Sequence, residues 1–159
     1  MKPSIIYLPK KGHPPRHVGT FAWQLSDDGP EIQAIRTAFG LVEFPNGSGV
    51  RHWLISGTTG SVEEENYSNF QINLEYQRGP IENKTFKLGD DEKMLAMAYT
   101  FSIPGTEEFY AFQTSYPDSG EVTLSLDLQA GTVEGHFKNI YKKLRQTPKG
   151  HFRLTRDDQ

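Results

Sequence analysis

The sequence predicts an all-β fold: a single, mostly antiparallel domain that is either an up-and-down barrel or a two-layer sandwich. Its 159 residues include 10 Phe, 7 Tyr and 2 Trp, residue types that suit a pleated, half-buried surface. Several segments alternate apolar and polar residues with a period of two, which is typical of antiparallel strands that bury one face. Short segments containing proline and glycine separate these strands and are typical of turns.

The alternation is clearest in three segments, and in each of them the apolar residues share one strand face. These residues are Phe70, Ile72, Leu74 and Tyr76; Leu95, Met97, Tyr99 and Phe101; and Val122, Leu124, Leu126 and Leu128. The residues between them, such as Gln71 and Asn73, belong to the opposite face. We therefore expect Leu124 and Leu126 to be buried.

The second half of the chain, residues 94–156, is predicted to form a five-stranded meander. Its strands are expected near 94–102, 108–115, 121–128, Thr132–Phe137 and His151–Arg156. Because the connections between them are short, successive strands are expected to be antiparallel neighbours.

The first half gives a looser pattern. Val18–Leu25 and Val50–Ile55 are predicted strands, and Ile5–Leu8 is a candidate edge strand. Residues 32–44 fit either a short helix or a strand running to Phe44. Residues 138–146 are equally ambiguous, since Phe137, Ile140, Tyr141 and Leu144 have helical spacing but follow a predicted hairpin. We favour a strand in both segments.

Residues 1–159 are interpreted as one domain, because the chain contains no repeat, low-complexity tract or obvious linker. Within it, residues 1–16 form a basic N-terminal arm and residues 57–69 a long acidic loop. That loop carries Glu63, Glu64 and Glu65 and exceeds the usual length of a connection, so it is either functional or mobile.

Composition excludes several classes of protein. The absence of cysteine excludes disulfides, thiol catalysis and cysteine-ligated metals. No run of about 18 apolar residues is present, so no membrane-spanning helix is expected. The segment Met1–Pro9 is too short, and too soon interrupted by proline, for the core of a signal peptide. A cytoplasmic location is therefore expected.

Charge is unevenly distributed, although the net charge is only −3. Residues 1–26 contain four cations and no acid. Residues 27–134 contain 18 acids and 6 cations, and residues 138–156 contain seven cations and no acid. The negative net charge argues against nucleic-acid binding, which usually uses a strongly basic surface.

The predicted meander places Lys138 and Lys142 near Arg153 of the next strand. Such a basic patch is a candidate surface for an anionic partner. The alternative, which we favour, is that the acidic middle of the chain balances these cations internally. Glu63, Glu64 and Glu65 are candidate partner-binding residues of the opposite sign.

Two histidines are the best candidates for acid–base chemistry. His136 and His151 each precede a phenylalanine on strands expected to be close together, so their imidazoles could act as acid and base or bind a metal. The simpler interpretation is two outward-facing surface residues. The pair His13 and His17 is separated by two prolines, which exclude a helical metal pair. No metal or cofactor is expected.

One further pattern spans roughly half of the chain. It consists of Asn83-Lys84-Thr85-Phe86-Lys87-Leu88-Gly89, Ser119-Gly120-Glu121-Val122-Thr123-Leu124, Leu126-Asp127, Gly131-Thr132-Val133-Glu134-Gly135-His136-Phe137 and Gly150-His151-Phe152-Arg153-Leu154. This pattern resembles small bacterial all-β domains of unknown function, which occur in secreted proteins and lipoproteins. The resemblance implies a calycin-like barrel or a β-sandwich. It implies no catalytic residue.

These observations predict a non-enzymatic binding module that engages a protein partner or a small ligand through its loops and a sheet face or barrel mouth. One alternative is a hydrolase-type enzyme whose acid and base residues meet only in three dimensions. A second alternative is an anion or nucleic-acid binder that uses the basic C-terminal segment.

Overall fold

The computed structural model describes residues 19–43, 49–90 and 95–156. Over these ranges the chain forms eleven β-strands and no helix, which confirms the all-β prediction. The strands are β1 (Gly19–Gln24), β2 (Ile32–Gln33), β3 (Arg36–Glu43), β4 (Arg51–Thr59), β5 (Ser68–Glu75), β6 (Ile81–Lys87), β7 (Leu95–Ile103), β8 (Ala111–Ser115), β9 (Ser119–Asp127), β10 (Thr132–Ile140) and β11 (Lys149–Thr155). Accordingly, no helix in these ranges has the length and apolar character needed to cross a membrane.

The strands form two antiparallel sheets. The six-stranded sheet has the order β2-β1-β11-β10-β9-β6, and the five-stranded sheet has the order β3-β4-β5-β7-β8. The sheets pack face to face: the rings of Trp23 and Phe137, from the six-stranded sheet, each lie 5.3 Å from the ring of Phe70 in the other sheet, measured between centroids. Since each sheet ends in edge strands within the described ranges, the fold is a two-layer sandwich and not a closed barrel.

Aromatic side chains fill the space between the sheets. The rings of Phe21 and Phe152 stack with centroids 5.7 Å apart, and those of Phe70 and Tyr99 stack at 4.4 Å. Gly57 of β4 lies so close to this layer that a Cβ atom there would be 2.4 Å from the ring of Phe21. Glycine is therefore required for the sheets to approach each other at this point.

The predicted alternation holds on β9, where Leu124 and Leu126 are buried as expected. On β5 the apolar face is buried too, but so is the polar face, including Gln71 and Asn73. The Gln71 side-chain amide donates a hydrogen bond to Asn73 Oδ1 at 2.7 Å. Side-chain hydrogen bonds of this kind offset the cost of burying amide groups.

The predicted five-stranded meander is wrong in its connectivity, although all five strands are present. β7 and β8 form a hairpin in the five-stranded sheet, whereas β9, β10 and β11 form a meander in the six-stranded sheet. The chain crosses between sheets at residues 116–118. Pro117 has no amide N–H to continue a ladder. The Asp118 amide donates to the Ile140 carbonyl at 2.8 Å, so the chain already pairs with the last residue of β10 before β9 begins.

Neither ambiguous segment is helical. Residues 32–43, the described part of the first, contain β2 and β3. The second continues β10 to Ile140 and then makes a tight turn, in which Tyr141 and Gln146 exchange backbone hydrogen bonds at 2.9 and 3.2 Å. Arg145 closes the turn with a left-handed φ of 53°. The apparent helical spacing therefore arises from a strand followed by a turn.

Other boundaries also differ from the prediction. β4 extends to Thr59 and β5 starts at Ser68, so the acidic loop comprises residues 60–67 and not 57–69. β6 is an additional strand that the alternation did not predict. The candidate strand Ile5–Leu8 and the arm 1–16, with His13 and His17, lie outside the described residues.

Candidate functional site

The two candidate histidines are neighbours, as predicted. His136 and His151 face each other across β10 and β11, and both are exposed on the outer face of the six-stranded sheet. His151 Nε2 lies 3.5 Å from a carboxylate oxygen of Glu31. This group is open to solvent, and neither histidine lines the two clefts described below. Among the residues that the structure describes, no group of three histidine or carboxylate side chains could hold a metal ion.

The predicted basic patch does not form. Lys138 lies opposite Lys149 in the register and pairs with Glu121 at 3.2 Å, whereas Arg153 donates two hydrogen bonds to Glu134, at 3.0 and 2.8 Å. Lys142 is not on the strand but in the turn that follows it. Strand pairing places Glu121 beside Lys138 and Glu134 beside Arg153, which agrees with internal charge balance.

The three candidate glutamates lie in the acidic loop, residues 60–67. Glu63, Glu64 and Glu65 are exposed, and Glu65 has a left-handed φ of 54°. The Ser61 amide donates to Asn66 Oδ1 at 2.8 Å, which closes the loop on itself. Glu65 Oε1 accepts a hydrogen bond from the Gly105 amide at 3.2 Å. The acidic loop is therefore joined to the connection between β7 and β8.

The end of that connection and the start of β8 carry exposed aromatic side chains, which we call the aromatic edge: Phe109, Tyr110 and Phe112. Their exposed fractions are 70%, 53% and 39%. Large aromatic side chains are rarely left so exposed without a role in binding, because water contact with three of them is unfavourable. These residues were not among the candidate binding residues predicted from the sequence. Their signal was the run Glu107-Glu108-Phe109-Tyr110-Ala111-Phe112, in which aromatic residues occupy both strand faces.

Local hydrogen bonds hold the aromatic edge in place. The Thr106 side-chain oxygen accepts bonds from the amides of Glu108 and Phe109, at 3.3 and 3.1 Å. The Thr106 amide in turn donates to the Phe109 carbonyl at 2.9 Å. A hydroxyl that binds amides two and three residues later is typical of a stable turn. Phe112 is supported from the acidic loop by Tyr67, whose ring meets it edge-on at 5.7 Å.

A cleft of about 930 Å³ opens beside β8, between the margins of the two sheets. Leu88, Met97 and Leu144 supply apolar lining, Gln113 and Ser115 of β8 supply polar lining, and Tyr141 forms part of the wall. A second cleft of about 890 Å³ lies near Ile81, Leu126 and Val133. Its rim includes the paired residues Glu134 and Arg153.

Tyr141, which lines the first cleft, and Asn139, whose amide lies near the Tyr141 hydroxyl, are buried polar side chains. Tyr141 and Asn139 are each 2% exposed, and neither the Tyr141 hydroxyl nor the Asn139 amide group has a hydrogen bond of good geometry among the described residues. Burial raises the pKa of Tyr141, although the nearby Asn139 amide opposes this slightly. The phenol therefore stays protonated and remains able to donate and accept a hydrogen bond.

Comparison of the chain with protein-family models, with curated proteins and with solved structures finds no match. The resemblance to bacterial all-β domains thus stays a prediction.

Proposed function

We propose that the chain is a non-enzymatic binding module that engages a protein partner through the aromatic edge. The observation that carries this proposal is the exposure of Phe109, Tyr110 and Phe112, within four consecutive residues, at one margin of the five-stranded sheet. Aromatic residues are enriched at the centres of protein interfaces, where burying them contributes much of the binding free energy.

Two features of the surroundings support a protein partner. The Thr106 turn and the Tyr67 contact fix the aromatic edge before binding, so that little conformational entropy is lost on association. The exposed carboxylates of Glu65, Glu107 and Glu108 surround it. An apolar centre with a charged rim is typical of a specific, reversible interface.

Site-specific photo-crosslinking tests this function. A photoreactive benzoylphenylalanine in place of Phe109 should give an adduct of defined mass in an extract of the source cells. The same probe at Thr123, on the outer face of the six-stranded sheet, serves as the matched control. Adding Tyr110→Ser and Phe112→Ser to the Phe109 probe should abolish the adduct. Identical adducts from both probe positions, or none from Phe109, would contradict the proposal.

A second candidate function is the binding of a small neutral ligand in the 930 Å³ cleft. The specific observation in its favour is the pair Tyr141 and Asn139, whose buried polar groups make no hydrogen bond of good geometry in the described part of the chain. A ligand with an apolar body and one group that both donates and accepts hydrogen bonds would satisfy them once it reached past the lining of the cleft.

A comparison of benzamide with toluene distinguishes specific binding, which uses hydrogen bonds, from non-specific apolar binding in the cleft. Backbone amide shifts of Leu88, Ser115 and Leu144 should respond saturably to benzamide and about tenfold more weakly to toluene. Tyr141→Phe should weaken benzamide binding about fivefold. Equal responses to both compounds, or an unchanged affinity in the variant, would exclude the assignment.

A further inference from the structure

The structure points to the mode of binding and the kind of partner: we infer that β8 accepts an extended, basic segment of another protein as an added strand. This inference rests on the proposed function, since it uses the same margin of the sheet. It adds a main-chain interaction that exposed aromatic side chains alone do not imply.

The hydrogen bonds of β7 show to which side the backbone groups of β8 point. The Ser102 amide of β7 donates to the Tyr67 carbonyl at 2.8 Å, so Ser102 faces β5. Strand residues alternate in the side to which their N–H and C=O groups point. Phe101 and Ile103 therefore face β8, where Gln113 and Ala111 are their register partners.

It follows that Phe112 and Thr114 direct their N–H and C=O groups to the opposite side of β8. β8 is the last strand of its sheet, and no described strand pairs with that side. Four backbone groups are thus available to an incoming strand. This is the hydrogen-bonding pattern that β-strand addition uses.

The edge strands differ in the features that protect them from pairing with other chains. Natural edge strands usually carry charges, prolines or bulges that prevent pairing with foreign strands. β6 has both Lys84 and Lys87 and a register shift between Ile81 and Lys84, and β2 has only two residues. β8, with the sequence Ala-Phe-Gln-Thr-Ser, has no charge, proline or bulge. The fourth edge strand, β3, carries Arg36 and Glu43 at its two ends. Of the described edge strands longer than two residues, β8 is therefore the one with no charge, proline or bulge.

Acidic residues near the start of β8 indicate the charge of the partner. The loops at the start of β8 contain five exposed glutamates, and Glu65 is fixed against Gly105 of the β7–β8 connection. These glutamates are Glu63, Glu64, Glu65, Glu107 and Glu108. Arg36, which approaches the acidic loop, is already engaged with the Gly60 carbonyl at 2.9 Å. Lysine or arginine flanking the added strand would complement this charge.

The same charge argues against a second copy of the chain as the occupant. Because β8 itself carries no cation, a second copy that paired antiparallel through β8 would offer these glutamates no complementary charge on the added strand. The partner is therefore a different protein. Its segment is extended, carries apolar side chains toward Phe109 and Phe112, and has basic residues beside them.

A synthetic peptide provides the test. We would measure binding of fluorescein-labelled Lys-Lys-Val-Thr-Phe-Thr-Val-Lys-Lys to the full chain by fluorescence anisotropy. Two further peptides serve as controls: one has glutamate in place of every lysine, and the other is N-methylated at its three central amides. N-methylation keeps the side chains but removes the main-chain donors from both edges of the peptide. Each change should weaken binding at least about tenfold.

Two variants of Thr114 form a matched pair on the protein side. Both Thr114→Pro and Thr114→Val remove the hydroxyl that lies 3.0 Å from the Thr100 hydroxyl, but only proline removes the outward amide. Thr114→Val should bind the basic peptide like the wild type, and Thr114→Pro at least about tenfold more weakly. If Thr114→Pro does not fold, the N-methylated peptide on the wild-type chain decides the question.

Equal binding of the N-methylated and parent peptides would overturn strand addition while leaving the aromatic edge as a binding surface. Equal binding of the glutamate peptide would overturn the basic partner. No binding of any peptide would overturn the inference, whereas failure of the photo-crosslinking experiment would separately contradict the proposed function. A dimer of the chain alone that Thr114→Pro dissociates would assign the edge to a second copy and also overturn it.

Discussion

Glu65 Oε1 accepts a hydrogen bond from the Gly105 amide at 3.2 Å, and this contact joins the acidic loop to the connection between β7 and β8. The two residues are 40 positions apart in the sequence. A Cβ at Gly105 would be 2.2 Å from the Phe109 carbonyl oxygen, so the chain is also tightly folded on its aromatic side. The acidic and aromatic parts of the surface are thus held in one arrangement.

Removing this contact should loosen the aromatic edge without unfolding the protein. In Glu65→Ala the Gly105 amide loses its acceptor, so its hydrogen exchange should become about three- to tenfold faster. Because the bond is exposed, the free energy of unfolding should fall by less than about 1 kcal/mol. Glu63→Ala, which removes a carboxylate from the same turn, is the control. Equal exchange of Gly105 in both variants would argue against the link.

Substitution of Leu124, which is buried on β9, is the simplest test of the sandwich. Leu124→Ala should lower the free energy of unfolding by about 2–5 kcal/mol, because it leaves a cavity between the sheets. Thr123→Ala on the opposite face loses a 2.7 Å hydroxyl contact with Thr85 and should cost less than about 1 kcal/mol. Urea titration measures both variants. Similar losses in the two would mean that the face of β9 is wrongly assigned.

The buried Tyr141 hydroxyl should lower stability, because it has no good hydrogen-bond partner. Tyr141→Phe should therefore leave the free energy of unfolding unchanged or raise it by up to about 1 kcal/mol. Tyr99→Phe is the matched control. The Tyr99 hydroxyl lies near the Ser68 side chain as that of Tyr141 lies near Asn139, but the Tyr99 hydroxyl is not a buried group without a hydrogen bond, so its removal should cost about 1 kcal/mol. Thermal unfolding compares the two. A loss of more than 1 kcal/mol in Tyr141→Phe would indicate a partner for its hydroxyl.

Alkaline pH should destabilise the fold. Burial raises the pKa of Tyr67, Tyr99 and Tyr141 above the ordinary value of 10.0. As the pH rises past that value, the unfolded chain releases these protons before the folded chain does. The stability that these phenols contribute is thus complete below about pH 10 and is lost progressively as the pH rises from there through their raised pKa values.

Urea unfolding at pH 8 to 11.5 measures this loss of unfolding free energy. The loss should be smaller in Tyr141→Phe, which has one buried phenol fewer. A free energy of unfolding that stays constant up to pH 11 would contradict the burial of these phenols.

The sequence predicted the fold where one face of a strand is apolar and the other polar. β5, β7 and β9 were recognised because their apolar residues recur every second position over most of the strand. β6 was missed because only Ile81 and Phe86 are buried in it, and the register shifts between them. A bulge changes the phase of the alternation, so a pattern with a period of two is lost.

The connectivity and the site were harder to predict for a different reason. The split of the meander depends on where the Asp118 amide finds an acceptor, and Ile140 is 22 positions away. The pairing of Lys138 with Glu121 and of Arg153 with Glu134 likewise depends on strand register. The aromatic edge is defined by exposure, which becomes known only when it is clear which strand lies last in the sheet.

Hydrogen exchange along β8 tests the account most directly, because the binding proposal depends on which amides of this strand are free. In the free chain, the amides of Phe112 and Thr114 should exchange at least about tenfold faster than those of Ala111 and Gln113, which face β7. Saturation with the basic peptide should slow Phe112 and Thr114 selectively. Slow exchange of Phe112 and Thr114 in the free chain, or fast exchange that the bound peptide leaves unchanged, would contradict an open edge that binds a partner.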